Sequence, residues 1–263
     1  MNSNNLLLSY SGTSEQRIQA IFHLLFDESD GIIDIISHTL LNDPSPIVRH
    51  EAAYILGEKN SFLAIDPLIR AITTDKAVIV VHESALALAN LGSLGYPVSQ
   101  HLLLDLQQST NDDLVDTAEI AIQRLNMKMN RESLQFNNES MRDIMDDLSI
   151  RNKEKRIQAS FLLMEDASTE SVEFLIKCLH REPSPIVKHE IIFSLGEAIH
   201  YKVVPELIKV LETDTNFFTI HESLLALGTI GDKKSETIIR KFLNDKEVEI
   251  SESAEIALER LQS

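Results

Sequence analysis

Fifteen residues near the start of the chain, PSPIVRHEAAYILGE (44–58), return as PSPIVKHEIIFSLGE (183–197), with ten of the fifteen positions identical. A chain that restates itself must find one local fold that serves both copies, so this duplication limits the possible architectures more than composition does. Other segments return at the same offset of 139 residues: EQRIQAIFHLLFD from Glu15 becomes EKRIQASFLLMED from Glu154, and Asp75–Gly92 becomes Asp214–Gly231. AEIAIQRL at Ala118 becomes AEIALERL at Ala254, an offset of 136, so one loop has lost three residues. Between the copies lies NMKMNRESLQFNNESM (126–141), polar, asparagine-rich and without clear periodicity. The expected organisation is an N-terminal half (1–126), a linker (127–141) and a C-terminal half (142–263).

The repeated segments read as helices. Ile18, Ile21, Phe22 and Leu25 recur at three- and four-residue spacing, and 31–41 repeats the pattern. In 43–58, Ser45 is placed as N-cap, Pro46 at the first helical position and Gly57 as the stop, which sets His50 and Glu51 mid-helix. The β-branched run Ala77–Val81 has strand propensity, but its continuation into Ala85–Ala89 argues for helix. Eight Gly, seven Pro and no Trp in 263 residues leave few forced turns. Within each half a second period of about 32 residues appears. Units of that length, two helices each, cannot close a core alone and must stack on their neighbours. The expectation is an all-α protein, an α-solenoid of about seven to eight helical pairs in two duplicated arcs facing each other.

One dipeptide stands on both periods. His50-Glu51, His82-Glu83, His189-Glu190 and His221-Glu222 lie 32 residues apart within a half and 139 apart between halves. Chance placement of nine His and 24 Glu gives about 0.8 such dipeptides, against four present. The other five histidines, His23, His38, His101, His180 and His200, have no counterpart in the opposite half. The pairs also stop short of the ends. Ile18-Gln19 and Ile157-Gln158 fill the position in the first unit of each half, and Asp116-Thr117 and Glu252-Ser253 fill it in the last. A dipeptide confined to the middle units marks a localised site.

Successive helical residues point about 100° apart, so a His-Glu pair flanks one point in front of its helix. Two stacked helices then gather two His and one or two Glu. Imidazole and carboxylate without thiolate suit Fe, Mn or Zn, and a set of two His and one carboxylate leaves positions open for oxygen chemistry on Fe(II). Repeated in both halves, this gives a two-metal centre held between the halves, with His50, Glu51, His82, Glu83, His189, Glu190, His221 and Glu222 as candidate ligands. Such a centre serves an oxygenase or a two-metal hydrolase, and the residues alone do not separate the two. Metal-free His-Glu pairs in a non-catalytic interaction or adaptor protein are the remaining alternative.

Charge narrows the partners. The net charge is −17, shared as −9 up to residue 130 and −8 beyond it, with no basic tail or stripe. Nucleic acid and anionic membrane are excluded as expected partners, whereas a basic protein or small molecule fits the field. Cys178 is the only cysteine, which argues against a disulfide framework and for a reducing compartment. The N-terminus lacks the basic and long apolar stretches of a signal peptide. A cytoplasmic monomer is expected.

The motifs HEAAYILGE, VVHESALALANLG, HEIIFSLGE and IHESLLALGTIG, set in two arcs of HEAT-like repeats, resemble the deoxyhypusine hydroxylase family over nearly the whole chain. That resemblance implies a di-iron monooxygenase with two Fe2+ ions and O2 as co-substrate, acting on a deoxyhypusine-bearing translation factor. It implies one iron on His50, Glu51 and His82 and another on His189, Glu190 and His221. Glu83 and Glu222 either complete the ligand sets or act catalytically, facing the substrate's amino groups. The sequence departs from the family pattern at Leu86 and Leu225, where the family's HEAGEALG-like stretch carries an acid. The same centre acting on a different substrate therefore stands beside the family's own reaction. Tyr54 and Phe193, four residues beyond each first-motif His, are read as core packing or as walls of the site.

Overall fold

The computed structural model describes residues 3–29, 31–126, 138–146, 152–165 and 168–262. Among these residues there are sixteen α-helices and no strand. The chain divides into two compact units, Met1–Met129 and Asn130–Ser263. The first holds α1 (Ser3–Leu8), α2 (Ser14–Leu24), α3 (Ile32–Asn42), α4 (Pro46–Glu58), α5 (Ile65–Thr74), α6 (Val78–Ser93), α7 (His101–Leu106) and α8 (Asp112–Asn126). The second holds α9 (Asn138–Asp146), α10 (Lys153–Glu165), α11 (Thr169–Arg181), α12 (Pro185–Glu197), α13 (Val204–Thr213), α14 (Phe217–Ile230), α15 (Glu236–Ile239) and α16 (Val248–Gln262). These helices pack as eight sequential pairs. Of the linker expected over 127–141, residues 127–137 lie outside the described residues, and Asn138 already opens α9.

In each unit the even-numbered helices stack directly on one another, α2–α4–α6–α8 and α10–α12–α14–α16, and the odd-numbered helices cover one side of that stack. The covering helices are ordinary amphipathic ones; α5, for instance, buries Ile65, Leu68, Ala71 and Ile72 and exposes the rest of its surface in part. The stacked helices are walled on more sides. Every residue from 79 to 89 in α6 is buried, and so is every residue from 218 to 228 in α14, the same interval shifted by 139. This burial settles the β-branched run at 77–81. Val78 onward is helical because packing against α4, α5 and α8 outweighs a propensity cost of a few tenths of a kcal/mol per residue.

Helix starts follow the local chemistry of the sequence. Ser45 and Ser184 cap α4 and α12 through Oγ, with Pro46 and Pro185 in the first turn. Thr13 and Gln16 form a reciprocal capping box on α2. The stops are less obvious. Gly57 and Gly196 do not end their helices but lie inside them, where the next stacked helix, α6 or α14, runs too close for a side chain. A Cβ on Gly57 would sit 2.9 Å from Ala87 Cβ, and one on Gly196 would sit 2.8 Å from Ala226 Cβ. The left-handed residues that follow are Asn60 and Ile199, while Gly231 does end α14 in the left-handed region.

Ion pairs hold successive units in register. Arg17–Asp43 and Arg156–Glu182 are 2.8 Å contacts between almost fully buried side chains. Arg49–Asp75 (2.7 Å) and Lys188–Asp214 (2.8 Å) repeat the arrangement one unit further on. Each carboxylate also accepts a loop N–H two residues ahead, from Ser45, Ala77, Ser184 or Asn216. One acid thus anchors a loop and ties it to the preceding stacked helix. Arg17 and Arg156 would be stranded charges without these partners, a loss of about 3–5 kcal/mol for a buried pair broken on one side. No helix among the described residues is long and apolar enough to cross a membrane.

Close packing at the helical glycines has a measurable cost when filled. Gly57→Val and Gly196→Val are each expected to lose about 1–3 kcal/mol through overpacking against the following helix, read as a lower urea midpoint.

Candidate metal centre

The four His-Glu pairs fall on the stacked helices α4, α6, α12 and α14. All eight side chains are buried, from His82 and His221 at 0 % exposure to Glu51 at 8 %. Burying ionisable groups on this scale costs several kcal/mol each unless charge is balanced locally. The two units answer that demand in the same way.

In the first unit, His50 Nε2 lies 3.6 Å and His82 Nε2 4.0 Å from the same oxygen, Glu83 Oε2. In the second, His189 Nε2 lies 3.4 Å and His221 Nε2 3.7 Å from Glu222 Oε2. Glu51 and Glu190 sit elsewhere, beside the Nδ1 edge of the histidine that precedes them, at 3.7 and 3.2 Å. Each unit therefore brings two imidazole Nε2 atoms to one carboxylate oxygen, with a second carboxylate behind the first imidazole.

The other edge of the second imidazole meets a hydroxyl. His82 Nδ1 is 2.8 Å from Thr117 Oγ1 in α8, and His221 Nδ1 is 2.8 Å from Ser253 Oγ in α16. Each hydroxyl proton is already committed, to Asp113 O at 2.7 Å and to Glu249 O at 2.6 Å. A hydroxyl with its proton spent can only accept, so Nδ1 carries hydrogen and donates. In the neutral imidazole that leaves the Nε2 lone pair facing the glutamate.

A lone pair facing a carboxylate is a site for positive charge. Two bonds of about 2.1 Å that diverge by a tetrahedral angle or more separate their donor atoms by about 3.4–4.0 Å, the range seen here. The donor set, two imidazoles and a carboxylate per unit without thiolate, suits Fe, Mn or Zn. His189 reports the same demand through its proton. Burial works to lower its pKa, yet hydrogen bonding and charge from Glu190 and Glu222 outweigh burial and hold it up at about 10. A proton is one way to satisfy these carboxylates and a divalent cation is another.

The second unit adds aromatic walls. Phe217 stacks on His221 with ring centroids 6.2 Å apart, Phe218 meets His189 edge-on at 5.8 Å, and the two imidazoles stack at 5.8 Å. The equivalent positions in the first unit are Val78 and Ile79. Sequence reasoning passed over Phe217 and Phe218 because two apolar residues in a first helical turn look like core. It passed over Thr117 and Ser253 because a hydroxyl in the place of a glutamate looks like the end of the motif. Tyr54 and Phe193 pack on Phe22 and Phe161 of the preceding stacked helices, at 6.3 and 6.4 Å. The unpaired histidines belong to the surface: His38 meets Tyr10, His101 meets Asp105 and His180 meets Glu206.

A stack of helical pairs with a doubled cluster of imidazoles and carboxylates defines a HEAT-repeat protein with a built polar centre. A profile of HEAT repeats matches residues 33–123 and 172–259. Deoxyhypusine hydroxylase of Neosartorya fischeri is 31% identical over 251 residues, covering 82% of this chain and 73% of its own. That of Schizosaccharomyces pombe is 29% identical over 264 residues, covering 88% and 80%. The structure of human deoxyhypusine hydroxylase in complex with glycerol superposes with a TM-score of 0.81 at 26% identity, covering 99% of this chain and 94% of that one. The chain belongs to the deoxyhypusine hydroxylase family, and it is a hydroxylase.

The single cysteine takes no part in this centre. Burial pushes the Cys178 thiol up to about 11, with Arg181 acting weakly the other way. On the order of one thiol in ten thousand is then ionised at pH 7. Native protein at pH 7 is expected to resist a disulfide-exchange reagent that labels Cys178 fully after unfolding, a contrast read directly from thiol absorbance.

Proposed function

We propose that the chain is a di-iron, O2-dependent monooxygenase that hydroxylates a deoxyhypusine side chain on a protein substrate. Family membership supports the reaction class. The observation that carries the metal reading is the meeting of two Nε2 atoms on one glutamate oxygen, made twice in one chain. On this reading one iron is held by His50, His82 and Glu83 and the other by His189, His221 and Glu222. This reverses the weighting that the family resemblance suggested from sequence, where Glu51 and Glu190 were the firmer ligands. The reason is geometric: Glu83 and Glu222 each face two Nε2 atoms, whereas Glu51 and Glu190 lie beside Nδ1 of the histidine that precedes them.

The iron pair supplies O2 activation when bound. The protein's own groups do the rest. Glu51 and Glu190, buried and left over from the ligand sets, are placed to pair with ammonium groups of a polyamine-like side chain, and the net charge of −17 favours its approach. The apolar surroundings of α6 and α14 exclude water, so each charge pair formed there is stronger than at the surface. A monooxygenase places one oxygen atom in the C–H bond and reduces the other to water. It therefore consumes two electrons and two protons, and the electrons come from an external reductant.

The same centre acting on another basic substrate is the second reading. Leu86 and Leu225 are buried, at 2 % and 4 % exposure, where the resemblance carries an acid. Loss of an acid near a site for a cationic ligand changes which cations fit.

Protein purified without added metal is expected to contain about two irons per chain. Incubated with O2, a reductant and a deoxyhypusine-bearing protein, it should add one oxygen atom to that protein by mass spectrometry. Iron-loaded enzyme that leaves deoxyhypusine untouched would discard the substrate and keep the centre, and protein with no affinity for iron would sink both. Glu83→Gln and Glu222→Gln are each expected to cost about one iron, whereas Glu51→Gln and Glu190→Gln should keep both irons and lose substrate affinity.

A further inference from the structure

The metal reading leaves two buried hydroxyls, Thr117 and Ser253, outside any ligand set, and both are fully buried. Their setting is the same in detail. Each lies on the stacked helix that follows the second His-Glu helix, 2.8 Å from Nδ1 of His82 or His221, and each donates to the carbonyl four residues back. The two copies reached this arrangement with different residues and different connecting lengths. The hydroxyl is Thr in one and Ser in the other, and it follows its histidine by 35 residues in the first unit and 32 in the second. A contact that survives both a residue exchange and a three-residue change in the connection is unlike incidental packing.

We infer that Thr117 and Ser253 are positioning residues, which hold His82 and His221 as Nδ1–H tautomers so that Nε2 alone faces the metal. The inference rests on the metal reading above and deepens it. The physical argument is proton accounting. A neutral imidazole has one N–H and one lone pair, and the side that finds an acceptor keeps the hydrogen. Because the hydroxyl proton is engaged by Asp113 O or Glu249 O, the hydroxyl cannot donate to Nδ1, and the opposite tautomer would set two lone pairs against each other in a buried space. The hydrogen bond also fixes the ring plane and makes Nε2 more basic, which is how outer partners of a ligating histidine commonly raise affinity. His189 uses a carboxylate in the same place, Glu190 at 3.2 Å from Nδ1, and Glu51 stands at the corresponding edge of His50 at the longer distance of 3.7 Å.

The test uses Zn2+ as a diamagnetic probe with the full-length chain. Wild type is expected to bind two zinc ions, with His82 and His221 ligated through Nε2 by long-range 1H–15N correlation. Thr117→Val keeps the shape and removes the hydroxyl. Ser253→Ala does the same on the other side. Each should weaken one of the two zinc sites by about ten- to a hundredfold and leave the other unchanged. Ser253→Thr and Thr117→Ser, which exchange the hydroxyls used by the two units, should restore both affinity and tautomer. A structural role alone would lower the melting temperature without this site-by-site split. Should Thr117→Val fail to fold, Ser253→Ala decides the matter independently. Wild-type affinity and Nε2 ligation at both sites in the hydroxyl-free variants would overturn this inference and leave the metal reading intact. Wild type that takes up no zinc would overturn the metal reading and this inference with it.

Discussion

Glu51, Glu83, Glu190 and Glu222 are carboxylates that have lost nearly all their water, and the demand for compensating positive charge shapes what surrounds them. An isolated buried carboxylate is too costly to keep ionised. Here each is set against imidazole, and His82, His189 and His221 are in turn set against hydroxyl or carboxylate acceptors. The chain of dependence runs outward: acid, imidazole, hydroxyl, backbone carbonyl. Each link fixes the next, so the helices bearing them must hold their relative rotation closely. The glycine–alanine contacts and the buried ion pairs between successive units supply that rigidity.

Much of this was legible in the sequence because duplication acts as an internal control. A residue pair that recurs at 139 while neighbouring histidines do not is visible without coordinates, and so is the helical periodicity around it. What stayed hidden depended on contacts between residues of unlike type at separations that no short motif records. The Arg–Asp and Arg–Glu pairs at a separation of 26 residues are one case, and Thr117 and Ser253 are another. Gly57, whose counterpart in the second copy is Gly196, reads as a stop because a glycine near a helix end has that meaning when only its own backbone is considered. Their role lies in the neighbour, Ala87 or Ala226, which the sequence does not place beside them. The stretch read as linker runs past Asn138, where α9 opens, because packing of α9 on α10 is a contact that no short motif displays.

The two halves are not interchangeable in detail. Aromatic rings, Phe217 and Phe218, stand against the histidines of the second unit, where Val78 and Ile79 occupy the first. Stacked rings are stiffer and more polarisable than aliphatic side chains. One site therefore has a harder, less adaptable wall than its sister, despite nearly identical polar groups. Duplication preserved the charge arrangement and let the packing around it diverge.

The three-residue difference between the halves shows where such divergence is tolerated. It falls after the second His-Glu helix, where α7 is a six-residue helix and α15 a four-residue one flanked by 3-10 turns. The stacked helices on either side, α6 with α8 and α14 with α16, keep the same histidine–hydroxyl contact at the same 2.8 Å. The covering layer thus behaves as an expansion joint. Length can be gained or lost there without shifting the polar centre, so insertions confined to these outer turns leave the chemistry in register.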